Sequence, residues 1–162
     1  CASCVMEGTR PLISDIQALV SPTTFPAPRR TSNGVDYSRM CLLIAVLEKR
    51  LGLKFYTNDV YLNVAGGLHL DEPAADLAVA LSLVSGLRDI PIDEYTVAFG
   101  EIGLSGELRS VPRAQSRVTE AARMGFKRCI LPKACLKQIT NCPDSIELIG
   151  VRRLSEAVAL IK

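Results

Sequence analysis

The sequence has no tryptophan, a single histidine (His69), and only four tyrosines and four phenylalanines in 162 residues. Stacking platforms for nucleic-acid bases are therefore scarce, and base-specific reading of a strand is not expected. A Ser-His-Asp triad would have to run through His69, yet no Gly-x-Ser-x-Gly element accompanies it. His69 reads as a structural or surface residue. A Gly-x-x-x-x-Gly-Lys-Ser/Thr phosphate loop is also missing, so this stretch alone is not expected to hydrolyse ATP. No apolar run approaches the ~18 residues of a membrane span, and neither a signal peptide nor a transit peptide is recognisable. The chain opens abruptly on Cys1, as a piece of a longer protein would.

What is present is ordinary for an α/β domain: 48% hydrophobic and 22% charged residues. Residues 1–162 read as one domain, long enough to bury about two-thirds of its unfolded surface. The net charge of +2 hides an uneven distribution. Residues 54–104 carry two basic and eight acidic side chains, whereas residues 105–130 carry six basic and two acidic. The basic segment suits a polyanion, and equally a solvated face or an acidic neighbour. Of the six cysteines, Cys1 and Cys4 have the gap of a zinc knuckle, but Cys41, Cys129, Cys135 and Cys142 supply no second short-gap pair. Free thiols in a reducing compartment are the expectation, with no metal site.

Along the chain, Leu12 to Val20 alternates as a half-buried strand. A proline-rich loop from Ser21 to Gly34 carries Arg29 and Arg30. Asp36 caps a helix that Gly52 ends. Val60 to Val64 reads as a strand, Gly66-Gly67 as a turn, and Asp71 as the N-cap of an alanine-lined helix with Pro73 just inside it and an end near Ser85-Gly86. Thr96 to Ile102 follows as one strand, with a hairpin turn at Gly103 to Gly106. A third helix runs from Pro112 to Met124, then come a strand (128–131), a short helix (132–140), a strand (145–151) and a closing helix (154–161). Strands alternating with helices, hairpins included, give a mixed-sheet α/β (α+β) domain.

A strand, a turn and an exposed helix N-terminus make a mount for a nucleophile or an anion. At the tip of that mount stands Ala74. The segments Gly66-Gly67…Asp71-Glu72-Pro73-Ala74-Ala75-Asp76, Phe99 to Leu108 with Val111-Pro112, and Ala121 to Lys127 with Ile130-Leu131-Pro132 together resemble the Lon-type proteolytic domain. That resemblance implies a serine at position 74 and an activating lysine at position 115. Here Ala74 and Gln115 occupy those positions, and Asp76 replaces an expected glycine. Losing one such group in a hydrolase costs on the order of a millionfold in turnover, so the resemblance implies no catalytic residues and a silent peptidase.

Over essentially its whole length the chain is similar to the C-terminal domain of the bacterial-type RadA (Sms) DNA repair family. The agreement is sharpest at Glu7-Gly8-Thr9-Arg10-Pro11, Gln17-Ala18-Leu19-Val20, Arg29-Arg30, Leu47 to Arg50, Asn63 to Gly67 and Glu72 to Ala80. The family implies a hexameric ring ATPase that processes branched recombination intermediates and moves on single-stranded DNA, with a RecA-type recombinase as a further partner and no membrane. Its ATPase core and zinc finger, with their ATP, Mg and Zn, are expected upstream, and no cofactor is expected in this piece. The cysteine-rich flavour suggests a plastid or mitochondrial version beside the bacterial cytoplasmic ones.

Candidate DNA-contacting residues are Arg29 and Arg30 in the loop, and Arg109, Arg113 and Arg117, spaced four apart at the third helix. Forked guanidinium donors suit backbone phosphates. The alternatives are an assembly module without DNA contact, and a serine peptidase using Ser105 or Ser110.

Overall fold

Alternating residues at the start of the chain build a hairpin in which β1 (Ala2–Glu7) turns at Gly8 and returns as β2 (Arg10–Pro22). The structure, a computed structural model, describes residues 1–161. β2 pairs antiparallel with β4 (Asn58–Val64), and β3 (Arg30–Asn33) lies parallel to β4 at the sheet edge. On the other side, β1 meets β5 (Thr96–Ala98) in parallel at one register pair, Ala2 with Val97. β8 (Arg128–Pro132) and β9 (Glu147–Val151) continue in parallel, giving a seven-stranded mixed sheet in the order β3-β4-β2-β1-β5-β8-β9. β6 (Glu101–Ile102) and β7 (Leu108–Arg109) form a separate hairpin.

The central strands send alternate residues into two cores. Val5, Ala98 and Ile130 join the larger one, with α1 (Tyr37–Leu51), α2 (Asp76–Arg88) and α4 (Leu154–Ala159). Cys4, Val97, Phe99, Cys129 and Leu131 join the second, with α3 (Ala114–Arg123). Because β5 and β8 are covered on both faces, their sequences are continuous apolar runs. β2 instead keeps Asp15, Gln17 and Leu19 exposed between inward-facing neighbours, as its alternation predicted.

The caps of α1 fall where expected. The Asp36 carboxylate accepts from Arg39 N, and Gly52 ends the helix at φ 69°. Elsewhere the boundaries move. Asp71 is not the cap of the second helix: the chain stays extended through Glu72, makes a 3-10 turn over Pro73–Ala75, and enters α2 at Asp76. That helix passes Gly86 and ends at Arg88. Gly86 is needed for close approach, since a Cβ there would stand 3.0 Å from Val20 Cγ2 and 3.1 Å from Ala18 O. Thr96 to Ile102 is two strands, broken where Gly100 lies against Pro132. The third helix begins at Ala114, and residues 133–138 form a 3-10 turn in place of the expected short helix. β1 carried no sequence expectation, and β3 lies inside the stretch expected to be loop, Ser21 to Gly34, where pairing with β4 makes Arg30–Asn33 a strand.

All six cysteines are free; Cys4, Cys129 and Cys135 are buried and Cys142 is exposed. Cys1 packs against the larger core and Cys4 within the second, on opposite faces of β1. Burial pushes the Cys4 thiol up to about 12 from its ordinary 9.0, and raises Cys129 and Cys135 as well. Thiolate is the reactive form, so Cys4 in the folded chain holds about a thousandfold less of it than an ordinary thiol. Under a thiol reagent at pH 8, Cys142 should label in the native protein, whereas Cys4, Cys129 and Cys135 should label only on unfolding. Mass spectrometry of timed aliquots reads this directly.

Candidate functional site

Two carboxylates flank Ala74, and each is claimed by an arginine from a distant element. On one side stands Glu72, still in extended chain. The Arg117 guanidinium, fully buried in α3, donates to it through Nη1 at 2.5 Å and Nη2 at 3.1 Å. The same guanidinium donates to Cys4 O at 2.9 Å and Pro112 O at 3.0 Å, while Glu72 Oε1 accepts from Met6 N at 2.7 Å. β1 pairs with β2 throughout but with β5 only at its first residue, so the Cys4 and Met6 backbone groups that point away from β2 would otherwise lack a partner. The ion pair takes the place of a neighbouring strand there. Buried peptide groups need such partners.

On the other side, Asp76 opens α2, where a carboxylate suits the positive end of the helix dipole. It also receives Arg39 of α1 as a fork, with Nε at 2.8 Å on Oδ1 and Nη2 on Oδ2. Ile102 N donates to Asp76 Oδ2 at 3.1 Å, and Arg39 Nη2 donates to Ile102 O. The bonds to Asp76 hold the Arg39 guanidinium above its ordinary pKa. α1, α2 and β6 are thus joined through one buried side chain.

Ala74 itself is buried, with its methyl in the second core alongside Phe99, Val111, Ala114 and Val118. Its carbonyl accepts from Gly100 N at 2.8 Å. Gln115 is turned to other work: its Oε1 accepts from Thr140 N and Asn141 N, and its Nε2 donates to Asn141 O. The α3 side chain that reaches the Pro73–Ala75 turn's flank is Arg117, two residues further on. Sequence reasoning placed Arg117 on a DNA-facing surface. Full burial corrects that, because a guanidinium sealed against Glu72 and two carbonyls has no face left for a phosphate.

The remaining basic candidates scatter. Arg29 is exposed and stacks on Phe25 at 3.7 Å. Arg30 does not stay in the loop: it begins β3, and its guanidinium donates to Asn58 O and Phe55 O. Arg113 is exposed at φ 61° ahead of α3, so it does not share a helical face with Arg117. Arg109 is exposed and pairs with Glu107 at 3.2 Å.

Around the β6–β7 hairpin, however, the fold adds two residues that spacing had not revealed. Arg50 donates to Leu104 O and Arg153 to Ser105 O. With Arg109 they make a cluster of three exposed guanidinia drawn from α1, β7 and the start of α4. Their sequence separation hid it. His69 lies at the surface, 3.0 Å from Asp71. Ser105 donates its hydroxyl to Glu107 at 2.8 Å, inside the hairpin turn.

The chain resembles known proteins as follows. The family model described as subunit ChlI of Mg-chelatase matches residues 35–135. Among curated proteins, the DNA repair protein RadA of Bacillus subtilis is 53% identical over 94% of this chain and 33% of its own length. RadA of Synechocystis is 48% identical over 95% of this chain and 30% of its own length. RadA of Streptococcus pneumoniae is 47% identical over 94% and 36%. The chain spans about a third of the length of these relatives.

Two outcomes are expected from these contacts. Arg117→Ala takes the guanidinium from Glu72, which keeps only the Met6 N–H, and from the buried Cys4 carbonyl; breaking a buried pair in this way costs about 3–5 kcal/mol, which urea unfolding measures. Glu107 is held down to about 2, chiefly by the Ser105 hydroxyl, from an ordinary 4.5. A depressed carboxylate stabilises the folded hairpin above its unfolded value. That contribution is lost as pH falls from about 4.5 toward 2, so the Ser105 and Glu107 amide resonances should titrate near 2.

Proposed function

The chain belongs to the family described as subunit ChlI of Mg-chelatase, and from that premise we propose that it is a non-proteolytic, Lon-like domain of a RadA-type DNA repair ATPase. Its work is to support ring assembly, as a hexamer in the full-length protein, and to hold single-stranded or branched DNA by its backbone. Identity to RadA proteins of about half, over nearly the whole chain, supports the affiliation. The observation that carries the loss of proteolysis is Ala74: a buried methyl stands where a nucleophile is needed, and its neighbour on α3 is the Arg117–Glu72 pair rather than a free amine. No general base has anything there to activate.

ATP hydrolysis and its Mg, the zinc finger, and any RecA-type recombinase contact fall to the rest of the full-length protein. Free thiols fit a reducing compartment, either bacterial cytoplasm or the matrix of an organelle. No helix among the described residues is long and apolar enough to cross a membrane.

For DNA, the exposed guanidinia are Arg29, Arg109 and Arg113 from the sequence candidates, joined by Arg50 and Arg153 at the hairpin. Backbone phosphates are the fitting ligand, since such contacts need charge and forked donors rather than base-reading aromatics. A pure assembly module is the second reading. It is favoured by the internal engagement of Arg30 and Arg117, which leaves the basic surface thinner than the sequence suggested.

The purified chain should show no turnover of casein or a fluorogenic peptide; turnover abolished by changing Ser105 or Ser110 would overturn the non-proteolytic assignment. In fluorescence anisotropy with a labelled oligothymidine, Arg29→Ala and Arg153→Ala should each weaken binding. Each should also flatten the plot of log affinity against log salt by about 0.7, the value of one phosphate contact on a single strand. Binding indifferent to both substitutions and to salt would favour the assembly module.

A further inference from the structure

Two clefts lie side by side at the N-terminal end of α2, separated by the segment His69 to Pro73 that lines both. The first, about 390 Å³, has buried Val35, Leu70 and Val79 as its floor and exposed Asp36 and Asp71 at its mouth. The second, about 470 Å³, is apolar along Val5, Met6, Leu12 and Leu68, with Glu7 at its edge. The remaining acidic groups of the wall are accounted for, Glu72 by Arg117 and Asp76 by Arg39. Glu7 sits across the β1–β2 hairpin from Arg10. That register pair is not an ion pair, so Glu7, Asp36 and Asp71 are the uncommitted carboxylates, and the latter two belong to the first cleft. Asp36 accepts only a backbone N–H from Arg39, and Asp71 only the His69 ring contact. Neither has a lysine or arginine partner among the described residues.

An apolar floor under two uncompensated carboxylates suits a long cationic side chain, whose methylene stem covers the floor while its head stays at the wet rim. The adjoining cleft offers an apolar bed next to it, with Glu7 at its edge. We propose that the double cleft binds a segment of a partner protein carrying an arginine or lysine a few residues from an aliphatic side chain. The cation lies between Asp36 and Asp71, and the aliphatic group lies over Met6, Leu12 and Leu68. The segment crosses the His69–Pro73 saddle. Acidic rims steer a basic segment in and repel a nucleic acid strand, which sets this face apart from the arginine-bearing hairpin and loop.

The test is fluorescence anisotropy of the whole chain with a short labelled peptide containing one arginine and one leucine. The variant is Asp36→Asn with Asp71→Asn, which keeps the fold intact, since asparagine caps a helix as well as aspartate does. Saturable binding is expected, weakened at least about tenfold both by the double substitution and by glutamate in place of the peptide's arginine. Amide shifts on binding should centre on Leu68 to Asp71. No saturation up to about 1 mM peptide, equal binding by the double variant, or displacement of the peptide by an oligothymidine would each overturn the proposal.

Discussion

A buried guanidinium with nowhere else to go organises the centre of this molecule. Arg117 is enclosed by α3, β1 and the turn that precedes α2. In water its charge would be well solvated, and inside the protein it persists because Glu72 and two peptide carbonyls replace that water. Glu72 in turn takes the Met6 N–H. The pair therefore settles two problems together: it neutralises itself, and it satisfies a stretch of β1 that parts from its neighbour after one residue.

The Asp76–Arg39 fork does the equivalent on the opposite flank, tying the first two helices to the short hairpin. Between these two pairs the Pro73–Ala75 turn is held from both sides, and the Ala74 carbonyl is fastened to Gly100. That rigidity presents a methyl to a hydrophobic core, with charged contacts on either side serving the fold.

Much of the architecture was legible because it rests on local chemistry. Asp36 and Gly52 bound α1 as their side-chain oxygen and missing Cβ require, and the hairpin turn at Gly103 to Gly106 closes as its glycines suggest. The alternation of Leu12 to Val20 gave β2 its exposed face. What escaped was set by distant partners. β1 and β3 are recognisable as strands only once β2 and β4 lie beside them. Arg30 looked like a loop cation until the carbonyls of Phe55 and Asn58 came into reach. Arg50 and Arg153, a hundred residues apart, meet only across the folded hairpin.

Sequence alone determined the class of fold, the absence of hydroxyl and amine at positions 74 and 115, and the segregation of charge along the chain. Those are facts of side-chain chemistry and short-range spacing, fixed before any folding. The tertiary structure decided which charges remain available. It buried Arg117 against Glu72 and Asp76 against Arg39, left Arg29, Arg109 and Arg153 in water, and exposed Asp36 and Asp71 over an apolar cleft. Whether a charge is spent on a neighbour or offered to a ligand depends on what lies within about 3 Å of it, and only the folded chain sets that distance.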